Sequence, residues 1–260
     1  NNGQVNESGE TYVAWCWKAG TTSGITTDGS TDITPSGYSF NQTSGFSIVQ
    51  WTGTGVDEDY LPHGLGKAPQ LLFLKSTNLA EPWQIYSEPT GNEGRGWLNS
   101  SDAFQTGRSE WASTTPTSVN MRLANYTHIN GSSNTYLAYF FTSIQGFSKV
   151  GKYTGNGSTD GPMIFLGFRP AFVIFKKSNG AADWQMVDDK RLGYNPDQNY
   201  FNVNENFAEQ TGDIIDLVSN GFKIRGDNSN GWNKSGDTYI YIAFAKAPFV
   251  NSNGVPCNAR

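Results

Sequence analysis

The residues best suited to acid–base chemistry are two histidines and two short acidic runs. His63 and His128 both lie in turn-like stretches, and neither has a base or a metal ligand at the spacing of a catalytic site. The acidic runs, residues 57–59 and 188–189, contain the paired carboxylates that glycoside hydrolysis uses. Short charged runs are usually exposed surface, and that interpretation is favoured for residues 57–59. The sequence therefore predicts no catalytic residue and a protein that is not an enzyme.

One loop contains the oxygen-bearing residues that calcium prefers. Residues 155–161 read Gly-Asn-Gly-Ser-Thr-Asp-Gly, with Asn156 and Asp160 as the candidate ligands. The loop lacks the alternating carboxylates of a strong calcium site, and a hairpin turn needs the same glycines and asparagine for positive φ. We therefore favour a turn over a metal site and predict no cofactor.

Five of the eight tryptophans are candidates for contact with a sugar or a receptor. Trp83 and Trp184 recur in the same string, Trp-Gln, and core packing is favoured there over a stacking platform for a sugar. Trp97, Trp111 and Trp232 lie among glycine and serine residues without matched partners, so we expect them at the surface as ligand-binding candidates. Long loops on a rigid β scaffold are where recognition residues usually collect.

These residues belong to a framework that the chain contains twice. Residues 45–47, Gly-Phe-Ser, return at 146–148, and Pro69 returns as Pro170, both shifted by 101. Residues 51–55, Trp-Thr-Gly-Thr-Gly, return as Tyr-Thr-Gly-Asn-Gly at 153–157, shifted by 102. Such constant spacing indicates two copies of one folding unit. Because the segments between turn residues are rich in β-branched and aromatic side chains, the sequence predicts an all-β fold of two tandem homologous antiparallel β-sandwich-like units, with little or no helix.

The repeat also sets the predicted boundaries. Residues 45–145 form the first unit and residues 146–248 the second. Residues 6–12 match residues 233–239, which close the second copy, so residues 1–44 are expected to hold the closing strand of a preceding unit and a Gly/Ser/Thr-rich linker. Residues 249–260 are expected to form an extended tail, and further residues are expected to precede Asn1 in a longer protein.

Composition restricts the classes of partner. Lys and Arg number 18 against 23 Asp and Glu, a net charge of −5, which argues against a nucleic-acid-binding face. No apolar run approaches the roughly 18 residues that a membrane helix needs, so no membrane insertion is expected. Cys16 lies in an apolar string and Cys257 in a polar tail, which predicts two free thiols.

Four long strings carry a resemblance to a known family. They are residues 12–20 (Tyr-Val-Ala-Trp-Cys-Trp-Lys-Ala-Gly), 62–69 (Pro-His-Gly-Leu-Gly-Lys-Ala-Pro), 153–162 (Tyr-Thr-Gly-Asn-Gly-Ser-Thr-Asp-Gly-Pro) and 243–249 (Ala-Phe-Ala-Lys-Ala-Pro-Phe). They resemble an uncharacterised β-rich domain of marine bacteriophage virion proteins, which often follows a lectin-like jelly-roll domain, and the resemblance covers nearly the whole chain. It implies a place on the virion surface, in a tail fibre, a tail-associated protein or a capsid-surface protein, and it offers no catalytic residue to transfer.

The resemblance and the residues together predict a bacteriophage virion structural protein that contributes to host-surface attachment. Its expected partners are other virion proteins and a host cell-surface glycan. Strands that are apolar on both faces, such as residues 239–244, need cover on both sides, so we expect a homo-oligomer, with a trimer favoured by analogy with phage fibres. A monomeric decoration protein on a capsid lattice would also cover those faces. The alternative functions are a carbohydrate-binding, lectin-like module and a polysaccharide depolymerase of a tail spike.

Overall fold

The fold is built from antiparallel strands throughout. The structure, a computed structural model, describes residues 8–9, 12, 14–191, 195, 199–226 and 231–248. Within these residues the helical content is one short 3₁₀ turn at Glu88–Thr90. The predicted all-β class and its sandwich-like arrangement are confirmed.

The first unit contains eight strands in two sheets. In chain order they are β1 (Gly37–Asn41), β2 (Phe46–Thr52), β3 (Asp59–Pro62), β4 (Leu71–Ser76), β5 (Gln84–Ser87), β6 (Gly96–Trp97), β7 (Asn120–Leu123) and β8 (Thr135–Phe141). The larger sheet has the strand order β1-β2-β8-β4-β5-β6, and β3 pairs with β7 in a smaller sheet.

The described residues of the second unit also form eight strands in two sheets. They are β9 (Ser148–Thr154), β10 (Asp160–Phe165), β11 (Pro170–Lys177), β12 (Gln185–Asp188), β13 (Phe201–Asn202), β14 (Ile215–Val218), β15 (Gly221–Arg225) and β16 (Thr238–Ala245). The larger sheet has the order β13-β12-β11-β16-β9, and the smaller has the order β10-β15-β14.

The two larger sheets share one topology and one register. The order β2-β8-β4-β5-β6 corresponds strand by strand to β9-β16-β11-β12-β13. Trp51 faces Tyr136 across β2 and β8, and Tyr153 faces Tyr239 across β9 and β16. Both pairs are stacked, with ring centroids 5.3 Å and 4.8 Å apart. The sequence repeat therefore corresponds to a structural duplication.

Strand alternation divides the buried apolar residues of the described part of the chain into three clusters. In β16, Tyr239, Tyr241 and Ala243 face the core of the second unit, whereas Ile240, Ile242 and Phe244 face a third cluster. In β8, alternate residues divide in the same way between the first core and this third cluster. We call it the inter-unit cluster, because it combines buried residues of both larger sheets. Both apolar faces of strands such as β16 are thus covered within one chain, so these strands do not support the predicted oligomer.

The prediction for residues 1–44 is partly wrong. Residues 14–20 contain no strand, although Trp15 and Trp17 pack against the inter-unit cluster. The expected linker contains β1, which pairs with β2 in the first unit, and Ile33, which is buried in its core. Of residues 1–13 the structure describes residues 8, 9 and 12, and the tail predicted at residues 249–260 lies outside the described residues.

Among the described residues, no helix is long and apolar enough to cross a bilayer.

Candidate functional site

A polar cleft in the first unit contains one of the candidate tryptophans. We call it the Trp97 cleft; it has a volume of about 380 Å³. Its lining residues are Glu81, Pro82, Gln84, Arg95, Trp97, Asn99, Ser100, Asp102 and His128. The cleft is mostly polar, but its one half-buried aromatic ring can stack on an apolar ligand face while the surrounding amide, hydroxyl and carboxylate groups orient the ligand.

The edge of the larger sheet positions Trp97. Trp97 pairs with Gln84 across β6 and β5. Two further bonds continue this edge, from Leu98 N to Trp83 O at 3.2 Å and from Trp83 N to Asn99 Oδ1 at 3.0 Å. Gly96 precedes Trp97 on β6, and a Cβ at this position would lie 2.5 Å from the Phe104 ring. The absence of a side chain at Gly96 therefore allows the Phe104 ring to pack against the strand.

A charged cluster fixes the wall of the cleft behind Trp97. The Arg95 guanidinium lies 4.7 Å from the Trp97 ring centroid, a cation–π geometry. Arg95 Nη1 lies 2.5 Å from Glu110 Oε1 and donates to His128 Nε2 at 2.9 Å. Arg108 Nη2 donates to the same Glu110 oxygen at 2.8 Å. The Glu110 carboxylate is fully buried, so these donors are what allow it to remain charged.

The pKa of Glu110 reflects that balance. Burial raises the pKa of the carboxyl group, but the adjacent His128 ring, the hydrogen bonds from Arg108 and the charge of Arg95 outweigh it and lower the pKa from 4.5 to about 2. Burial and the neighbouring Arg108 lower the pKa of Arg95, against the opposing attraction of Glu110. Glu110 is therefore an anion held in an internal ion-pair network, which suits positioning of Arg95 and not proton transfer at neutral pH.

Several buried polar atoms of this region have no hydrogen-bond partner. Gln84 is 1% exposed, and its Oε1 is unpaired while its Nε2 donates to Pro82 O. Arg95 Nε and Glu110 Oε2 are also unpaired. A buried polar atom without a hydrogen-bond partner destabilises the fold. A ligand whose polar groups pair with these atoms would recover that free energy.

The other tryptophans lie in different environments. The expectation that Trp111 lies at the surface is wrong: its side chain is fully buried in the first core, and its Nε1 donates to Gly94 O at 2.9 Å. Trp232 is half-buried against the second core. Trp184 is buried in the inter-unit cluster, and its Nε1 donates to Trp97 O at 2.7 Å. Trp83 is half-buried and stacks on Tyr139 at 6.1 Å.

The loop of the calcium candidates forms a hydrogen-bonded turn. Asn156 Oδ1 accepts from Ser158 N at 3.0 Å, and Asn156 Nδ2 donates to Asp160 O at 3.0 Å. Asp160 is exposed, and its carboxylate lies 2.5 Å from Lys223 Nζ. That hydrogen bond and the charge of Lys223 lower the pKa of Asp160. Among the described residues, no group of three or more His, Cys, Asp or Glu side chains is arranged to hold a metal ion.

The acidic runs are held in internal interactions. Asp188 pairs with Arg191 at 2.7 Å, and Asp189 pairs with Lys246 at 2.8 Å. In the other run Glu58 pairs with Arg122. Asp59 is 7% exposed and accepts from Thr54 Oγ1 at 2.5 Å, so the expected solvated surface does not extend to it.

His63 is a structural histidine. It is fully buried, its Nδ1 accepts from Leu65 N, and its Nε2 lies 3.2 Å from Thr117 O, which requires a proton on Nε2. Burial lowers the pKa of His63 to about 4, against an opposing hydrogen bond to Thr117.

Sequence reasoning missed the cluster of Arg95, Glu110 and His128. The three residues come from separate loops and have no motif spacing, so only tertiary structure brings them together. A comparison of the two copies would have given a signal. The bridge between residues 95 and 105 matches the bridge between residues 200 and 210, which places Tyr200 in the second copy where the first has Arg95.

The comparisons with known proteins identify a family but no characterised relative. A family model described as a domain of unknown function, DUF7483, matches residues 1–248, which include both units. No match was found among the curated proteins or among the solved structures.

Proposed function

The chain belongs to the DUF7483 family, and we propose that it is a bacteriophage virion-surface protein that binds a host cell-surface glycan through the Trp97 cleft. The virion placement is supported by the family resemblance of the long sequence strings. The glycan-binding role is supported by the composition of the cleft. Other virion proteins would be its assembly partners.

The observation that carries the binding role is the combination of Trp97 with Gln84. An indole face covers the apolar face of a sugar ring, and the fixed amide of Gln84 offers an unpaired acceptor for a sugar hydroxyl. Glu81, Asn99 and Asp102 add further acceptors along the rim. The Arg95 guanidinium already forms an ion pair with Glu110 and a hydrogen bond with His128. The positive charge of Arg95 is therefore already compensated and gives the cleft no preference for an acidic sugar.

The second candidate is a purely structural fibre or decoration element. The observation that favours it is the extent of apolar packing between the two larger sheets, which would make the pair of units a stiff rod segment. This role does not require the unpaired polar atoms of the Trp97 cleft.

A glycan array of bacterial surface oligosaccharides separates the two roles. We expect the chain to bind a subset of the array, and Trp97→Ala to weaken that binding roughly tenfold or more, as for a central aromatic contact. The matched control is Phe165→Ala, which removes a 62%-exposed aromatic on β10 outside the cleft. Both variants are checked for folding by circular dichroism. Absence of binding by the parent chain, or equal binding by Trp97→Ala, would leave only the structural role.

A further inference from the structure

The second unit has a cleft at the position equivalent to the Trp97 cleft. Gln185 pairs with Asn202 across β12 and β13, as Gln84 pairs with Trp97 in the first unit. Trp184 N donates to Asn204 Oδ1 at 2.7 Å, as Trp83 N donates to Asn99 Oδ1. The duplication therefore reproduces the framework of the site while changing its side chains.

We call this the Trp232 cleft; its volume is about 470 Å³. Its lining residues are Ser101, Ala181, Ala182, Asp183, Gln185, Tyr200, Asn202, Gly231 and Trp232. Tyr200 and Trp232 meet edge to face with centroids 5.9 Å apart. Asn130 Oδ1 accepts from Thr54 N, and Asn233 Oδ1 accepts from Asn156 N, so the two asparagines are equivalent. Gly231 therefore occupies the position of His128, because each lies two residues before its asparagine. The charged network of the first cleft is thus replaced by an aromatic pair.

We propose that the Trp232 cleft is a second sugar-binding site, specific for uncharged, hydroxyl-rich sugars; this inference rests on the proposed function. Three polar atoms in its wall are buried without a partner: Gln185 Oε1, Asn202 Oδ1 and Trp232 Nε1. Gln185 is 4% exposed. Each sugar hydroxyl carries one O–H donor and two acceptor lone pairs, so two hydroxyls of one sugar satisfy two acceptors and one donor, which no single ion does.

The orientation of the Asn202 amide supports this ligand class. Asn202 Nδ2 donates to Asp183 Oδ2 at 3.3 Å, and Asn204 Nδ2 donates to Asp183 Oδ1 at 2.8 Å. With its nitrogen committed to Asp183, Asn202 presents Oδ1 as an acceptor. The Asp183 carboxylate makes the cleft unfavourable for acidic sugars, because like charges repel.

One short segment joins the two clefts. Ser100 and Asp102 line the Trp97 cleft, and the intervening Ser101 lines the Trp232 cleft. Ser101 O accepts from Ala182 N at 2.8 Å and from the buried Lys176 ammonium at 3.1 Å, which fixes this segment of the first unit onto the second. A polysaccharide that crosses the segment engages both clefts, and the second contact gains from a high effective concentration.

The indole N–H signals in two-dimensional ¹⁵N NMR test the proposal on the full chain. The probes are neutral hexose and N-acetylhexosamine oligosaccharides of increasing length, and Trp97→Phe and Trp232→Phe assign the two signals. We expect long oligosaccharides to shift both signals. Trp232→Phe retains the apolar packing and deletes the donor, so it should lower the affinity for long oligosaccharides roughly tenfold while leaving short ones at the Trp97 cleft unaffected.

The outcomes separate this inference from the proposed function. A shift of the Trp97 signal without any shift of the Trp232 signal would overturn the second site and leave the first. A shift of neither signal with any probe would overturn both. Equal affinity of Trp232→Phe and the parent for long oligosaccharides would overturn the bridging of the two clefts.

Discussion

His63 lies in a turn-like stretch of the sequence, yet its ring is fully buried. The ring lies 5.6 Å from that of Phe140, and its two nitrogens bond to the backbone of Leu65 and Thr117. Leu166 takes its place in the second unit, where Leu166 N donates to Asn220 O as His63 N donates to Val119 O. One copy therefore uses a neutral imidazole where the other uses a hydrocarbon.

His63 makes the stability of the protein depend on pH. Its pKa falls from 6.5 to about 4 on folding, so between these values the unfolded chain binds a proton that the folded chain does not. The free energy of unfolding should therefore decrease by about 3 kcal/mol as the pH falls from 6.5 to 4, and be unaffected by His63 above 6.5. His63→Leu, which copies the second unit, should be less stable at neutral pH but lose this slope. Urea unfolding at several pH values measures both; an unchanged slope in the variant would mean that another group titrates.

The tryptophans mark the limit of residue-level prediction. Trp97 and Trp111 both stand in stretches of sequence with glycine and serine nearby, yet one lines a cleft and the other is buried in the first core. Local composition did not distinguish them, because Trp111 is buried among side chains that are distant in sequence, including Tyr86 of β5, whose ring meets it edge to face with centroids 5.8 Å apart. The amino-acid composition around a residue does not predict which distant side chains the tertiary structure brings into contact with it.

At the scale of elements, turns and alternation were predictable and pairing partners were not. The repeated Gly-containing turns and the period-two strands follow from local chemistry, and the structure has both. Residues 14–19 have strand-like composition but form no strand, and Trp15 and Trp17, both half-buried, pack against the inter-unit cluster. Local propensity sets what a segment favours, and the available neighbours decide what it forms.

The repeated turns require glycine for reasons of space at two equivalent positions. A Cβ on Gly53 would lie 2.2 Å from Gly131 O, and a Cβ on Gly155 would lie 2.4 Å from Lys234 O. We expect Gly53→Ala and Gly155→Ala each to destabilise the fold by about 1 to 3 kcal/mol, since a backbone atom must move. Gly29→Ala, which meets nothing within 4 Å, is the control and should change stability little. Thermal unfolding of the three variants measures this, and a silent Gly53→Ala would mean that the turn adjusts freely.

At the scale of the whole molecule, the inter-unit cluster makes the two units one cooperative body. Ile242 is 3% exposed within it, with Phe172 from β11 and Phe141 from the first unit in the same cluster. Calorimetry of the parent should therefore show a single unfolding transition. Ile242→Asp places an unpaired charge in this cluster, which should cost about 3 kcal/mol or more and separate the transition into two, because each unit keeps its own core. Met163→Asp, at a residue that is 45% exposed, is the control and should keep one transition. Two transitions in the parent would show that the units fold independently, and their clefts would then lack the fixed spacing that simultaneous binding of one polysaccharide requires.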